Sequence, residues 1–182
     1  VSKVLLMGQS NVGKSVLFNR LAGARATVSN YPGTTVDFDK GRMRIEGQDV
    51  EIVDIPGSFS LEPKDRAEEV AVKMLEETKG ATVVCVIDSS KVERGLYLAL
   101  EIIEKRHSVI IALNMADVAK DANINVDAER LEEILGVPVV PMVATRGEGL
   151  KELVSRIREA VPVEIEGIIK NVGGKSGTSS HS

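Results

Sequence analysis

The residues best suited to do chemistry lie close to the N-terminus. Gly8-Gln-Ser-Asn-Val-Gly13-Lys14-Ser15 fits G-x-x-x-x-G-K-[ST]. It follows an apolar run, Lys3 to Met7, and precedes a stretch with helical periodicity. In that setting the glycines let the backbone wrap an anion so that successive N–H groups point inward, and the following helix adds its positive end. The cradle is predicted to run from Gly8 through Asn11, Val12 and Gly13 to Val16. Lys14 would reach the β- and γ-phosphates of a nucleotide, and Ser15 would offer its hydroxyl to Mg²⁺. A Gly-rich strand-to-helix turn without a ligand has no need of Lys-Ser at the helix start.

The base is read further along. Asn114-Met115-Ala116-Asp117 closes a predicted strand. Guanine presents N1–H and an exocyclic amine side by side, and one carboxylate accepts from both. Adenine lacks that amine and its N1 is an acceptor, so a carboxylate repels it. Asp117 is therefore the predicted specificity residue, with Asn114 on the base edge and tying its loop to the P-loop. Taken alone, N-x-x-D is also what a helix-capping Asp looks like. Val143-Ala144-Thr145 after the last strand strengthens the guanine reading, with the Ala144 N–H expected to donate to guanine O6.

Between these segments lie groups able to sense a γ-phosphate. Asp54-Ile-Pro-Gly57 has the D-x-x-G form at a strand end, where a Walker-B acid belongs. Asp54 is expected to hold Mg²⁺ through water, and the Gly57 N–H to bond the γ-phosphate. Thr35 is the choice for the second Mg²⁺ hydroxyl, with Thr34 as the runner-up; a plain strand entry is the alternative for both. Such contacts exist only with the triphosphate, so hydrolysis releases two loops.

These segments need a frame, and the hydropathy pattern supplies one. Strands are predicted over 3–7, 36–45, 49–54, 81–88, 108–114 and 138–143, with a hairpin turn at Glu46-Gly47-Gln48. Helices are predicted over 14–22, 65–79, 93–106, 127–135 and 149–160, with Asp127 as an N-cap and Gly136 as a C-cap. Residues 23–35 read as loop. The alternation implies an α/β fold: a mostly parallel six-stranded sheet with one antiparallel edge strand and helices on both faces. Residues 1–162 form one domain. The remainder, 163–182, reads as a disordered linker or appended tail, and with the missing initiating Met it points to a fragment of a longer chain.

Composition excludes other classes. With 23 basic and 27 acidic residues among 182, the net charge of -4 argues against a broad nucleic-acid surface. No Trp, two Tyr and three Phe leave few stacking platforms for single strands. The single Cys85 sits in an apolar run and reads as a core residue in a reducing compartment. No apolar run reaches the roughly 20 residues of a membrane span. His107 has no ligand-spaced neighbours and reads as a strand-edge residue. Glu101, Glu104, Lys105 and Arg106 read as a solvated helix face. Arg146 could reach the nucleotide or only solvent.

The motif order resembles the TRAFAC-type P-loop GTPases, and within them the G domain of the ferrous iron transport protein B (FeoB) family. Beside the phosphate and guanine segments, the resemblance rests on Asn30-Tyr-Pro-Gly-Thr-Thr-Val-Asp37, Asp54-Ile-Pro-Gly-Ser-Phe-Ser-Leu61 and Val143-Ala-Thr-Arg-Gly-Glu-Gly149. It covers residues 3 to 160. It implies a GTP/GDP-binding switch and GTPase on the cytosolic face of the cell membrane. It further implies partners in the parent chain, namely a helical segment modulating GDP release and a membrane transport domain, and an oligomer formed through that parent. Met115 replaces the Lys of N-K-x-D, as in other members, which implies modest affinity and fast GDP exchange. Ser58 stands where Ras-like GTPases carry the water-positioning Gln, so hydrolysis should be slow. Asn11 matches an asparagine that helps bind K⁺ in related GTPases. Lys14, Asn11, Thr35 and Gly57 are the expected catalytic set. A soluble translation or tRNA-modification GTPase is the alternative, and a nucleotide sensor without turnover is a third.

Overall fold

The computed structural model describes residues 2–173. Seven strands form one sheet, β1 (Lys3–Gly8), β2 (Thr27–Asn30), β3 (Asp37–Ile45), β4 (Gln48–Asp54), β5 (Thr82–Asp88), β6 (Ser108–Asn114) and β7 (Val139–Pro141). Their spatial order is β2-β3-β4-β1-β5-β6-β7. β1 pairs in parallel with β4 and β5, and β6 in parallel with β5 and β7, whereas β3 runs antiparallel to both β2 and β4. The parallel strands are buried on both faces, which is why they read as continuous apolar runs rather than alternating ones.

The helices are α1 (Lys14–Ala22), α2 (Arg66–Glu77), α3 (Val92–Glu104), α4 (Ala116–Asp121), α5 (Ala128–Leu135), α6 (Leu150–Arg156) and α7 (Ile165–Gly173). Alternate strand residues feed two cores. Leu5, Met7, Val83, Cys85 and Ile87 meet α2, α3, α5 and α7 through residues such as Val70, Leu98, Leu135 and Ile168. Val4, Leu6, Val84 and Val86 meet Leu17 and Phe18 of α1 and Leu153 of α6 on the other face. Cys85 is fully buried, and burial pushes its thiol up to about 12, so it is an inert core residue.

Local signals end these elements as the sequence indicates. The Asp65 carboxylate accepts from Glu68 N at 2.8 Å at the start of α2, and Asp127 accepts from Arg130 N at 3.0 Å at the start of α5. Gly136 closes α5 with φ 71°. Glu46 and Gly47 turn the β3–β4 hairpin with φ 48° and 81°, the left-handed pair that a tight two-residue hairpin requires.

The sheet has seven strands rather than six. The extra one, β2, lies inside the expected loop 23–35. It is a short edge strand held by backbone pairing with β3, and it has no alternating buried face to betray it. The short α4 was not anticipated. The expectation of a tail from 163 onward fails as far as Gly173, because Ile165 and Ile168 seat α7 on the first core. There Asn171 Nδ2 donates to Ile134 O at 3.1 Å and Arg106 pairs with Glu164 at 2.7 Å. The expectation for residues 174–182 lies outside the described residues.

Candidate functional site

The phosphate loop spans the end of β1 and the start of α1. Gly8 passes so close to β5 that a Cβ there would lie 2.8 Å from Val86 O. Asn11 and Gly13 both take positive φ, 66° and 84°, which bends the chain around an open concavity. Gln9, Ser10, Asn11, Gly13, Lys14, Ser15, Val16 and Gly57 line this concavity, of about 360 Å³. Gly57 lies directly against the loop, since a Cβ on it would lie 3.1 Å from Ser10 Oγ. The structure thus brings together the cradle residues and the glycine of D-x-x-G.

Lys14 and Asp54 meet in this site. The Lys14 ammonium donates to Asp54 Oδ1 and, at 2.7 Å, to Ile55 O. Burial raises the pKa of the Asp54 carboxyl, Lys14 opposes that shift, and Asp39 adds to it. A hydroxyl at Ser15 and one carboxylate at Asp54 suit Mg²⁺, a hard cation that takes few protein oxygens and completes its shell with water and phosphate. Among the described residues no group of three or more His, Cys, Asp or Glu side chains is placed to hold a metal.

The guanine segments are bolted to the cradle through one buried side chain. Asn114 Nδ2 donates to Val12 O at 2.9 Å, and Asn114 Oδ1 accepts from Ala144 N at 3.0 Å. A Cβ on Gly13 would overlap the Asn114 amide, so that position has room only for glycine. The Ala144 N–H expected to meet guanine O6 is therefore spent inside the protein, where two buried polar groups satisfy each other. Met115 turns through φ 59° and lays its methyl beside Gly13. Asp117 stays partly exposed at the start of α4, with Arg146 3.8 Å from its Oδ2. Val143 is buried and bridged to Glu148, and Thr145 is exposed, with its carbonyl accepting from Arg20 of α1.

Two expectations change, for Ser58 and for the Thr34–Thr35 pair. Ser58 does not face the concavity: it is buried, its N–H donates to Gly8 O at 2.9 Å, and its Oγ donates to Pro56 O at 3.2 Å. Thr34 is committed to a turn, its Oγ1 donating to Tyr31 O at 2.8 Å and accepting from Val36 N at 3.1 Å. Thr35 is exposed with no hydrogen bond to its side chain among the described residues. No described hydrogen bond joins the 31–36 loop to the P-loop, so the structure does not bring Thr35 into the phosphate site.

Several supporting residues escaped the sequence reading. Glu101 is not a solvated face residue: its carboxylate accepts from Leu61 N at 3.2 Å. The buried Glu68 accepts from Phe59 N at 3.2 Å and Lys64 N at 2.8 Å, so two carboxylates shape the loop after Gly57. Gln9 Nε2 donates to Arg94 O at 2.7 Å, tying the cradle to α3. His107 is buried rather than at an open strand edge. The S-x-x-E-like spacing from Asp65 to Glu68 is the sequence signal that marks Glu68.

The comparisons agree with this geometry. A family model described as ferrous iron transport protein B matches residues 2–157. The Fe(2+) transporter FeoB of Shigella flexneri is 38% identical over 152 residues, 81% of this chain, and so is that of Escherichia coli strain K12. The chain spans only 20% of the length of these curated relatives. Among solved structures, the cytosolic domain of the T. maritima FeoB iron transporter in a GDP form aligns with TM-score 0.82 and 39% identity, over 87% of this chain and 62% of that one. The T. maritima G domain aligns with TM-score 0.81 at 39% identity, over 87% of this chain and 97% of that one. The T. maritima cytosolic domain in its GMPPNP form aligns with TM-score 0.84 at 34% identity, over all of this chain and 76% of that one.

Proposed function

The chain belongs to the ferrous iron transport protein B family, and from that premise we propose that it is the GTP-hydrolysing switch domain of a membrane ferrous-iron transporter. The observation that carries the reading is the Asn114 clamp, which fixes the guanine-reading loops directly behind a P-loop that bends around an open concavity of about 360 Å³. The domain sits on the cytosolic side, with a helical GDP-release-modulating segment and the transport region elsewhere in the parent chain. No helix among the described residues is long and apolar enough to cross a membrane.

Each residue then has a task. The P-loop amides and Lys14 bind the phosphates, and Lys14 exchanges Asp54 for phosphate oxygens as the nucleotide enters. Ser15 and Thr35 would hold Mg²⁺ directly and Asp54 through water; the ion supplies charge neutralisation at the β- and γ-oxygens. The Gly57 N–H meets the γ-phosphate. Asp117 accepts from guanine N1–H and N2–H, and with the Ala144 amide paired to Asn114, base selectivity rests on Asp117. Ser58, turned inward, leaves the attacking water without a side-chain positioner, which keeps hydrolysis slow. Asn11 lines the concavity and would help hold K⁺, whose charge acts where other GTPases use an arginine.

Calorimetry tests the core of this reading. GDP should bind wild type and ADP should not, and Asp117→Ala should weaken GDP binding by about 100-fold, the loss of a paired charge-assisted contact. Preference for ADP, or indifference to both, would refute it. The K⁺ reading is tested separately: turnover in KCl should exceed that in NaCl several-fold, and Asn11→Ala should abolish the difference. Equal rates in both salts with no effect of the substitution would remove K⁺ from the mechanism.

A further inference from the structure

Two side chains outside the phosphate and guanine motifs tie the loop that carries Thr35 to a helix. Tyr31 opens the loop between β2 and β3. Its ring packs on the first core, and its hydroxyl donates to Glu77 Oε1 at 2.6 Å, in the last turn of α2. The loop has its own internal bracing. Tyr31 N donates to Val36 O at 2.9 Å, Thr34 N to Tyr31 O at 3.1 Å, and Asn30 Nδ2 to Asp37 Oδ1 at 3.1 Å. Residues 31–36 are therefore braced as one piece, and the Tyr31–Glu77 bond ties that piece to α2. A short hydroxyl-to-carboxylate bond is charge-assisted and outlasts the neutral contacts around it. The same bond raises the pKa of Tyr31, so the phenol remains a donor at physiological pH.

We propose that Tyr31 and Glu77 are positioning residues for GTP hydrolysis: their hydrogen bond latches the 31–36 loop to α2, and the latch opens for Thr35 to enter the phosphate site. The inference rests on the GTPase reading above and on Thr35 as a ligand group. The sequence of contacts supports it. Among the described residues, Thr35 is exposed with no hydrogen bond to its side chain, none links its loop to the P-loop, and the one side-chain bond from the loop to a helix is this one. A triphosphate shifts the loop only by the difference in its affinity for the two positions, so whatever stabilises the latched position subtracts from that difference. The latch also joins the two segments on either side of the γ-phosphate site, because α2 follows directly on the loop that carries Gly57.

Tyr31→Phe keeps the packed ring and removes only the hydroxyl, and Glu77→Gln keeps an acceptor without its charge. Single-turnover GTP hydrolysis with Mg²⁺ should rise about three- to tenfold in Tyr31→Phe, the scale of one charge-assisted bond at an exposed site. Glu77→Gln should give a smaller rise, and the double variant no more than Tyr31→Phe alone. The thermal midpoint should fall by only the few degrees that losing one such bond brings, and GDP dissociation should stay unchanged, whereas a merely structural role for the pair would lower stability without raising the hydrolysis rate. Unchanged or slower hydrolysis in Tyr31→Phe overturns the latch. A direct readout separates this failure from failure of the GTPase reading: spin labels on Pro32→Cys and Lys73→Cys, with the buried Cys85 unreactive, report the loop-to-α2 separation. Tyr31→Phe should shift the GDP-bound distribution toward that of the GMPPNP-bound wild type. A distribution that Tyr31→Phe leaves unchanged with both nucleotides disproves the latch even if turnover is normal.

Discussion

Asn114 satisfies two buried backbone groups on separate loops, one of the P-loop and one of the 143–149 segment, with the two ends of a single carboxamide. No other side chain does this in the same shape: Asp cannot donate to Val12 O, and Ala leaves both groups unpaired. Each stranded buried group costs about 1–3 kcal/mol, so Asn114→Ala should lower stability by about 2–4 kcal/mol in urea unfolding. GDP affinity should fall further than stability alone accounts for, because the base-reading loop loses its fixed distance from the phosphates. A loss below about 0.5 kcal/mol would mean that the clamp is incidental. Side chains of this kind were legible from sequence because their chemistry restricts residue type and spacing. Glu68, Glu101 and Arg20 were not, since each partners a backbone group that folding brings close, and any polar residue on a helix surface offers the same sequence signal.

At the scale of elements the hydropathy pattern carried the strands and helices that bury a face, and failed where burial is not the cause of structure. β5 and β6 were plain because water is excluded from both sides of them. β2 was hidden because an edge strand with three exposed residues of four is held by hydrogen bonds, which any sequence can make. α7 is the instructive miss: Ile165, Ile168, Ile169 and Val172 stand at helical spacing, but the Gly/Ser-rich stretch beyond them drew the whole segment into an assumed tail. Its docking has a measurable consequence. Ile168 is 8% exposed and packs into the core shared with α3 and α5, so Ile168→Ala should cost about 2–4 kcal/mol by lost burial and a residual cavity. A linker would give nearly zero. Hydrogen exchange should show the loss in the amides of α5 and α7, whereas protection confined to β5 and β6, unchanged in the variant, would mean that α7 opens independently of the domain.

For the whole molecule, the net charge of -4 and an isoelectric point near 5.4 set what acidification does. Lowering the pH toward 5.4 reduces self-repulsion, which by itself favours the compact state. His107 acts in the opposite direction. Burial, with Lys79 nearby, holds its pKa below the ordinary 6.5, so the unfolded chain takes up a proton there before the folded one does. The His107 contribution to stability is then greatest above pH 6.5 and declines as the pH falls from 6.5 toward the folded-state value, by at most about 1.4 kcal/mol per pH unit for one proton. Asp54 has the reverse sign: its folded pKa is raised, so the folded state takes the proton first and gains stability as the pH falls through that value. Two windows follow, a decline beginning below 6.5 and a later gain above 3.8. Urea unfolding of the nucleotide-free domain between pH 7.5 and 5.5 should show the decline, and His107→Gln should flatten it while leaving the charge balance at pH 7.5 untouched. If the variant declines as steeply as wild type, the acid sensitivity arises at groups other than His107, and the buried imidazole just before β6 is only a packing element.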